Sequence, residues 1–409
     1  MKKIIVLFLI FALEVPAFSQ WQDCSNGIEG KDLNQAFIFN SEIWVGAVGS
    51  GLYKSTNGGV SWLLSYSNSY YPSKFVSNLG NIFYLSSNAG TRVYRTVNSG
   101  LNWEYVSSST SGEKWDIMAY NNELYLASYG IGVYKSDIGV SWTLFNNQLN
   151  SLNVQSLGSK DNYVFVGTRA NGIARSSNQG QSWEPANSGL NILDILGFCT
   201  LNNGIMAFTD DDGNGAGVYF SSNFGQNWIF KGLPDKDIQS LVYINNAVFA
   251  SVYNEGVYVS LNNGDSWALA NSGLTNLRAK HIVKLNDYLY YFAYSNTGTD
   301  KPVWKRPVSE VIGISPVSHA VPEKFHLSQN YPNPFNPKTN ILFDLPKESF
   351  VKLIVYDALG KEVIILANQN LRKGSYKVDW NANNYPSGIY FYKLETENFS
   401  ETKKMILLK

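Results

Sequence analysis

An acidic segment, Asp210-Asp-Asp212-Gly-Asn214-Gly215, carries side chains that could hold a cation. Its spacing matches the start of a calcium loop, in which oxygen atoms at alternate positions and a glycine turn surround a hard cation. Asp210, Asp212 and Asn214 would be the calcium ligands. The bidentate glutamate expected at the twelfth loop position is absent, because Ser221 stands there, and no helix is predicted on either side. An ordinary acidic turn is the alternative.

Carboxylates of the same region could also act in glycoside hydrolysis, which uses two carboxyl groups on either side of the scissile bond. Asp210 or Asp212 would pair with Glu255. Aromatic rings and an arginine on neighbouring loops would instead suit binding of a sugar or peptide without chemistry. The candidate ligand-binding residues are Tyr129, Arg169, Asp210, Asp212, Tyr253 and Glu255. A histidine-based catalytic triad or a metal site with several histidines is disfavoured, since the chain has only three histidines.

Six copies of an eight-residue signature turn should position these loops. Each copy ends in a tryptophan, and the tryptophans follow one another after 41, 39, 41, 45 and 39 residues. The Asn or Asp at the third position can accept backbone N–H bonds across the turn, and the glycine two residues later tolerates a positive φ. The terminal tryptophan is a wedge between sheets. These structural residues are Asn57, Trp62, Asn98, Trp103, Asp137, Trp142, Asn178, Trp183, Asn223, Trp228, Asn262 and Trp267.

The repeat predicts an all-β fold, a β-propeller over residues 20–308. Each repeat reads as four short strands joined by tight turns, and a period near 40 residues is typical of propeller blades. A seventh set of strands follows Trp267 but lacks the signature and a clear fourth strand. The segment Gln20–Cys24, which contains Trp21, could supply that strand and close the ring. Seven blades are favoured, with six or eight left open.

The signature resembles the Asp-box, or BNR, repeat of sialidases, sortilin-type receptors, xyloglucan-active glycosidases and a photosystem-assembly propeller family. Five copies carry Asn in place of Asp, and the third copy has Lys135 where Ser or Thr is usual. The resemblance implies ligands on the face built from loops between second and third strands and between blades. A sialidase would also need an early Arg-Ile-Pro-type motif, which the chain lacks.

The two ends predict export. Residues 1–19 have the charged, apolar and small-residue regions of a signal peptide, with cleavage after Ser19. The apolar stretch is too short to be a comfortable transmembrane anchor, and no later segment is apolar enough. Residues 309–322 read as an extended linker, and residues 323–409 as a small Ig-like β-sandwich. Cys24 and Cys199 fall on different blades, so no disulfide is predicted.

The last segment resembles the type A C-terminal sorting domain of the type IX secretion system. The matching motifs are Leu327-Ser-Gln-Asn-Tyr-Pro-Asn-Pro-Phe-Asn-Pro337, Val355-Tyr-Asp-Ala-Leu-Gly360, Gly374-Ser-Tyr376, Ser387-Gly-Ile-Tyr-Phe-Tyr392 and Lys403-Lys-Met-Ile-Leu-Leu-Lys409. The resemblance implies a Gram-negative bacterium, Sec export to the periplasm and passage across the outer membrane. The secretion machinery and its sorting protease would be partners, and the protein would be secreted or held on the outer-membrane surface.

Charge balance excludes nucleic acid as a partner, because Lys+Arg and Asp+Glu both number 32 and no basic cluster stands out. The functional hypothesis is therefore a non-catalytic binding propeller for an extracellular glycan or protein. Its rival is a sialidase- or xyloglucanase-like glycoside hydrolase that uses carboxylates of the same face. A scaffold for other surface proteins is a third possibility. No cofactor is predicted apart from the calcium ion considered above.

Overall fold

Among the residues that the structure describes, seven four-stranded antiparallel sheets form the larger part. The computed structural model describes residues 20–67, 72–86, 92–210, 215–295, 298–311, 314–318, 322–371, 373–382 and 385–409. Six of the sheets are meanders of four consecutive strands. Their strands are β2 Leu33–Phe39, β3 Glu42–Ala47, β4 Gly51–Ser55, β5 Leu63–Tyr66; β6 Pro72–Asn78, β7 Asn81–Ser86, β8 Arg92–Thr96, β9 Glu104–Tyr105; β10 Glu113–Tyr120, β11 Glu123–Tyr129, β12 Gly132–Ser136, β13 Thr143–Leu144; β14 Val154–Lys160, β15 Tyr163–Thr168, β16 Gly172–Ser176, β17 Glu184–Pro185; β18 Ile195–Leu201, β19 Gly204–Thr209, β20 Val218–Ser221, β21 Ile229–Phe230; and β22 Ile238–Ile244, β23 Ala247–Val252, β24 Gly256–Ser260, β25 Ala268–Leu269. We number these sheets 1 to 6 in chain order.

Sheet 7 joins the two ends of this region. Its strands are β26 Ala279–Leu285, β27 Tyr288–Ala293, β28 Val303–Pro307 and, from the amino-terminal side, β1 Gln22–Asp23. The two residues of β1 lie opposite Lys305 and Trp304 of β28. This pairing agrees with the prediction that the segment around Trp21 supplies the outer strand of the last sheet.

The sheets close into a β-propeller. The first strand of each sheet, here called its inner strand, lies beside the inner strand of the next, in the order β2, β6, β10, β14, β18, β22, β26 and back to β2. Apolar residues of neighbouring sheets pack between them. In one such contact Trp62 meets Phe292 edge to face, with ring centroids 5.9 Å apart. Radial packing therefore buries faces that a single small sheet would leave exposed.

Each inner strand has a bulge close to its first residue. In six of these strands, one unpaired residue lies between two residues whose partners are neighbours on the second strand of the sheet. In β2 two residues, Asn34 and Gln35, lie unpaired between Leu33 and Ala36. A bulge bends a strand and redirects the inserted side chain. We call the six inserted residues the bulge residues: Ser73, Trp115, Gln155, Leu196, Gln239 and Lys280.

A β-sandwich follows a short helix, α1 Val308–Val311. Its strands are β29 Ile314–Ser318, β30 His326–Leu327, β31 Lys338–Leu345, β32 Ser349–Asp357, β33 Glu362–Leu371, β34 Gly374–Asn381, β35 Gly388–Thr396 and β36 Phe399–Leu407. One sheet has the order β29-β34-β31-β30 and the other β33-β32-β35-β36. Buried aromatic and aliphatic residues such as Phe335, Trp380 and Tyr392 lie in its core.

Within residues 309–322, which the sequence predicts to be an extended linker, the structure contains a strand. Residues 314–318 form β29, which pairs antiparallel with β34 at the border of the first sheet. An edge strand accommodates Pro316, which has no N–H to donate. Proline and serine content alone therefore did not distinguish a linker from an edge strand.

Two further observations concern the ends and the cysteines. Within the described parts of the chain, no helix combines the length and the hydropathy that a membrane crossing requires. The signal-peptide prediction for residues 1–19 lies outside the described residues. Cys24 and Cys199 are both free and buried, in separate apolar clusters.

Candidate functional site

The signature turns are held by a repeated network of side-chain hydrogen bonds. In the fourth copy the Ser176 hydroxyl donates to Asn178 Oδ1 at 2.8 Å and accepts the backbone N–H of Gly180 at 2.8 Å. Asn178 Oδ1 also accepts the N–H of Ser182 at 3.0 Å. The first, second, fifth and sixth copies repeat this pattern. Because the polar groups satisfy one another, these residues stabilise turns and offer no reactive group.

The third copy differs from its sequence alignment. Ser136, not Lys135, ends the third strand there and accepts the N–H of Gly139 at 2.9 Å. This turn is one residue shorter between serine and glycine than the others, and Asp137 accepts the N–H of Ile138 instead. Lys135 belongs to the strand, where it forms an ion pair with Glu123 at 2.6 Å. The reading of Lys135 as a replaced serine was wrong.

The terminal tryptophans link neighbouring sheets. Trp183 Nε1 donates to the carbonyl oxygen of Phe145 at 2.7 Å, just beyond the outer strand of the preceding sheet, and Trp62 Nε1 donates to that of Cys24 at 2.8 Å. Trp142, Trp228 and Trp267 form equivalent bonds. Trp21 donates to Ala270 O at 2.6 Å and so takes the same place in sheet 7. Trp103 Nε1 has no hydrogen-bond partner among the described residues.

The sequence reasoning missed a set of asparagines four residues after three of these tryptophans. Asn187 accepts the N–H of Ile173 at 2.7 Å and donates to Asn171 O at 3.0 Å, which fixes the turn between the second and third strands. Asn146 and Asn271 do the same in sheets 3 and 6. The constant spacing Trp142–Asn146, Trp183–Asn187 and Trp267–Asn271 was the available signal.

Apart from Asp212, the predicted ligand-binding residues lie on one face but form separate local groups. This face, called the ring face below, consists of the loops between second and third strands and the loops that join one sheet to the next. Arg169 Nε lies 3.8 Å from a carboxylate oxygen of Asp194, and the N–H of Asp210 donates to Asp194 O at 3.2 Å. Tyr129 stacks on Trp115, with ring centroids 5.4 Å apart. Asp212 and Asn214, and with them most of the predicted calcium loop, lie outside the described residues.

Glu255 and Tyr253 belong to sheet 6. Glu255 accepts hydrogen bonds from Lys236 Nζ at 2.7 Å and from the Tyr258 hydroxyl at 2.6 Å. Burial alone would raise the pKa of Glu255, but these two donors and the Lys236 charge outweigh it, so this pKa lies below its ordinary value. Tyr253 meets Tyr294 edge to face, with centroids 5.3 Å apart.

A half-buried lysine, Lys280, belongs to a polar group that the sequence did not predict. Its Nζ donates to the Tyr294 hydroxyl and, at 3.3 Å, to Gln239 Oε1. Burial, together with the Lys74 charge, lowers the pKa of Lys280 to about 8, against the opposing charges of Asp32 and Asp237. Burial raises the pKa of the Asp32 carboxyl group, although the Ser295 N–H and the charges of Lys280 and Arg278 oppose this rise. Nothing in the sequence identified Lys280, because its surroundings come from three sheets.

Residues that directly follow the bulges form a second polar set on the inner strands. Asp116 accepts the N–H of Leu157, on the next inner strand, at 2.9 Å. Burial raises the pKa of Asp116, with the Lys74 charge opposing it. Burial and the charges of Lys74 and Lys280 lower the pKa of His281 to about 3, so this imidazole is neutral at pH 7. Among the described residues, no group of three or more His, Cys, Asp or Glu side chains could hold a metal ion.

The comparisons with known proteins first concern the β-sandwich. A family model described as "Secretion system C-terminal sorting domain" matches residues 329–408. These residues are a secretion system C-terminal sorting domain. The sorting domain confirms the predicted route, export through the type IX secretion system to the cell surface or the extracellular space, and implies contact with that machinery.

The remaining comparisons support the propeller. A model described as "DUF6242 beta propeller domain" matches residues 65–190. No curated protein matches the chain. Among solved structures, YCF48 from Cyanidioschyzon merolae aligns with 14% identity and a TM-score of 0.53 over 71% of this chain and 98% of its own. YCF48 bound to D1 peptide gives the same identity and TM-score over 71% and 96%. The GH74 xyloglucanase from Xanthomonas campestris aligns with 11% identity and a TM-score of 0.54 over 80% of this chain and 59% of its own. At such identities these likenesses show the fold alone.

Proposed function

We propose that the protein is an exported, non-catalytic β-propeller that binds an extracellular glycan or protein on its ring face. The observation that carries this proposal is the state of Glu255. A hydrolase of the predicted kind needs one carboxyl group that is protonated near neutral pH. Lys236 and Tyr258 instead hold Glu255 as a carboxylate, with both of its oxygen atoms engaged. Glu255 therefore cannot supply that acidic proton, whereas a carboxylate held in place can accept hydrogen bonds from a bound ligand.

Other polar groups of this face support the same conclusion. Arg169 is paired with Asp194, and Arg278 with Asp300. The Arg278–Asp300 pair, with both side chains mostly covered, holds a loop between sheets to a loop between strands, which is the preorganisation that a binding site requires. A stacked pair of aromatic rings, Trp115 and Tyr129, lies on the same face and offers apolar contact area.

Both ligand classes of the proposal occur among the structural neighbours. One neighbour is described as bound to a peptide and another as a xyloglucanase. Because the identities are 14% and 11%, neither ligand is carried over to this chain. The choice between glycan and protein must come from the side chains of the ring face.

The test is ligand capture by the purified full chain. A glycan array and a pull-down from the culture medium of the producing organism would be read in parallel, with a denatured sample as control. We expect specific retention of one ligand class and no released sugar. Retention that is unchanged after Arg169→Ala, Tyr253→Ala and Glu255→Ala together, and also after Trp115→Ala with Tyr129→Ala, would contradict a ring-face site.

The alternative is a glycoside hydrolase, and Asp32 is the observation that favours it. Burial raises the pKa of this carboxyl group on the ring face, as a general acid requires. Incubation with chromogenic glycosides and polysaccharides would test this alternative. Turnover that Asp32→Asn, Asp212→Ala or Glu255→Ala abolishes would replace the binding function by hydrolysis.

A further inference from the structure

Trp115 differs from the other bulge residues because it has no evident structural task. Gln155 donates to Asp194, and Gln239 accepts from Lys280. Ser73 donates to Leu85 O at 3.4 Å, and Leu196 packs into an apolar cluster. Trp115 is the one exposed member of this set, with 38% of its surface accessible. An exposed indole at a position where the side chains of five other sheets are buried or half-buried indicates a surface that meets a ligand.

The geometry of Trp115 is that of a flat platform. Its ring lies at 24° to the ring of Tyr129, with centroids 5.4 Å apart. Trp115 comes from the bulge of β10, whereas Tyr129 ends β11, so two paired strands hold the two rings. Both rings therefore have rigid backbone support. A supported pair loses less side-chain entropy when a ligand is bound than two rings on loops would.

The polar group beside this platform is a carboxylate. Trp115 Nε1 donates to Glu113 Oε2 at 3.4 Å, and Glu113 is exposed. The neighbouring Lys114 is buried, with its Nζ donating to Gly112 O at 2.6 Å. On this part of β10 the charged group exposed to a ligand is therefore the Glu113 carboxylate. A carboxylate accepts hydrogen bonds from hydroxyl groups and repels anionic ligands.

We propose that Trp115 and Tyr129 form a stacking platform for a neutral sugar ring, with Glu113 accepting hydrogen bonds from its hydroxyl groups. This inference rests on the proposed binding function and specifies its ligand class. The apolar C–H face of a pyranose covers an aromatic ring, while the hydroxyl groups at its edge find an acceptor at the side. Acidic sugars are disfavoured because they bring a second negative charge to Glu113.

Affinity electrophoresis of the full chain tests the inference. The probes are gels that contain a neutral β-glucan, a neutral mannan or the anionic polysaccharide polygalacturonate. We expect retardation by a neutral polysaccharide and none by polygalacturonate. Trp115→Ala should weaken binding at least about tenfold, and Trp115→Phe should restore part of it because a ring remains. Glu113→Gln should preserve an acceptor and reduce the discrimination against polygalacturonate.

Tyr105→Ala is the matched control, because Tyr105 is 47% exposed but lies on the outer strand β9. Its mobility shift should equal that of the wild type. Circular dichroism of each variant checks that it is folded. Equal retardation of wild type and folded Trp115→Ala would overturn the platform. Capture of a protein with no retardation by any polysaccharide would overturn the sugar ligand while leaving the proposed binding function in place.

Discussion

The indole N–H of Trp21 donates a hydrogen bond to the carbonyl oxygen of Ala270 across 2.6 Å, although 249 positions separate the two residues in the chain. The bond repeats, at the closing point of the ring, the link that Trp62 and Trp183 make between other pairs of sheets. No signature turn precedes Trp21. The same contact between sheets is therefore built from an unrelated sequence, because the packing geometry alone requires it.

Trp21→Ala should destabilise the propeller by about 3–5 kcal/mol, the usual cost of removing a large buried aromatic ring. Trp21 is 3% exposed, so most of its ring contacts would be lost. Chemical denaturation would measure the change. Leu101→Ala, at a residue 79% exposed, is the control and should change stability by no more than about 0.5 kcal/mol. A Trp21→Ala protein as stable as this control would show that the amino-terminal strand does not close the ring.

Ser136→Ala should destabilise the third signature turn by about 1 kcal/mol, because the N–H of Gly139 loses its acceptor. Ser141→Ala changes an exposed serine in the same turn and should be nearly neutral. Thermal denaturation of the two variants side by side checks the expectation. If both variants were equally stable, Ser136 would not be the residue that stabilises this turn.

Lys280 should make stability rise with pH between about 8 and 9.5. Its folded-state pKa, about 8, lies below the value of 10.5 in an unfolded chain, so the unfolded state binds more protons over this range. The free energy of unfolding should increase by on the order of 1 kcal/mol per pH unit from this group. Lys280→Met should flatten the profile, whereas Lys301→Met, which changes an exposed lysine, should not. A wild-type profile that already falls over this range would contradict the assignment.

Removal of residues 323–409 should leave the propeller in the periplasm, because it would no longer cross the outer membrane. The sorting domain lies within this segment, so the truncated chain lacks the recognised part. Cell fractionation with an antibody to the propeller would follow its location. Asn398→Ala, an exposed change in the turn before β36, should leave the location unchanged. Surface exposure of the truncated chain would show that another segment directs export.

A narrower prediction concerns Asn330 within the sorting domain. Its Nδ2 donates to Pro332 O at 3.0 Å and to Thr339 Oγ1 at 2.9 Å, and the side chain is buried. Asn330→Ala should therefore cost about 1–3 kcal/mol through unsatisfied acceptors and lower the exported fraction. Fractionation and thermal denaturation of the same samples would test both parts. Normal stability and export together would contradict this role.

The sequence was informative where one local interaction repeats. Trp62, Trp183 and their equivalents could be aligned because a turn with a fixed set of hydrogen bonds constrains residue types at fixed spacing. Lys135 was misaligned, since the third turn is one residue shorter and Ser136 takes the place of the usual serine. The resemblance of the carboxy-terminal segment was equally clear, because its motifs span several strands.

The candidate site was harder to predict, because its groups meet across sheets. Gln239 and Lys280 come from the inner strands of two sheets, Tyr294 directly follows β27, and Lys280 reaches its position through a bulge. Bulge positions depend on strand register, which pairing and packing decide. Tyr129 was identified from its loop, but its partner Trp115 could be matched to it only once the register of β10 and β11 was known.

Strand β29 has a consequence for proteolytic release of the tail. Because it covers the outer side of β34, it belongs by its hydrogen bonds to the sorting domain, although it precedes the matched family segment. Cleavage before Ile314 would release a tail whose first sheet keeps this cover. Cleavage after Ser318 would leave β29 on the propeller and expose the N–H and C=O groups of β34. The released tail would then have an unpaired edge strand, with which another chain could pair.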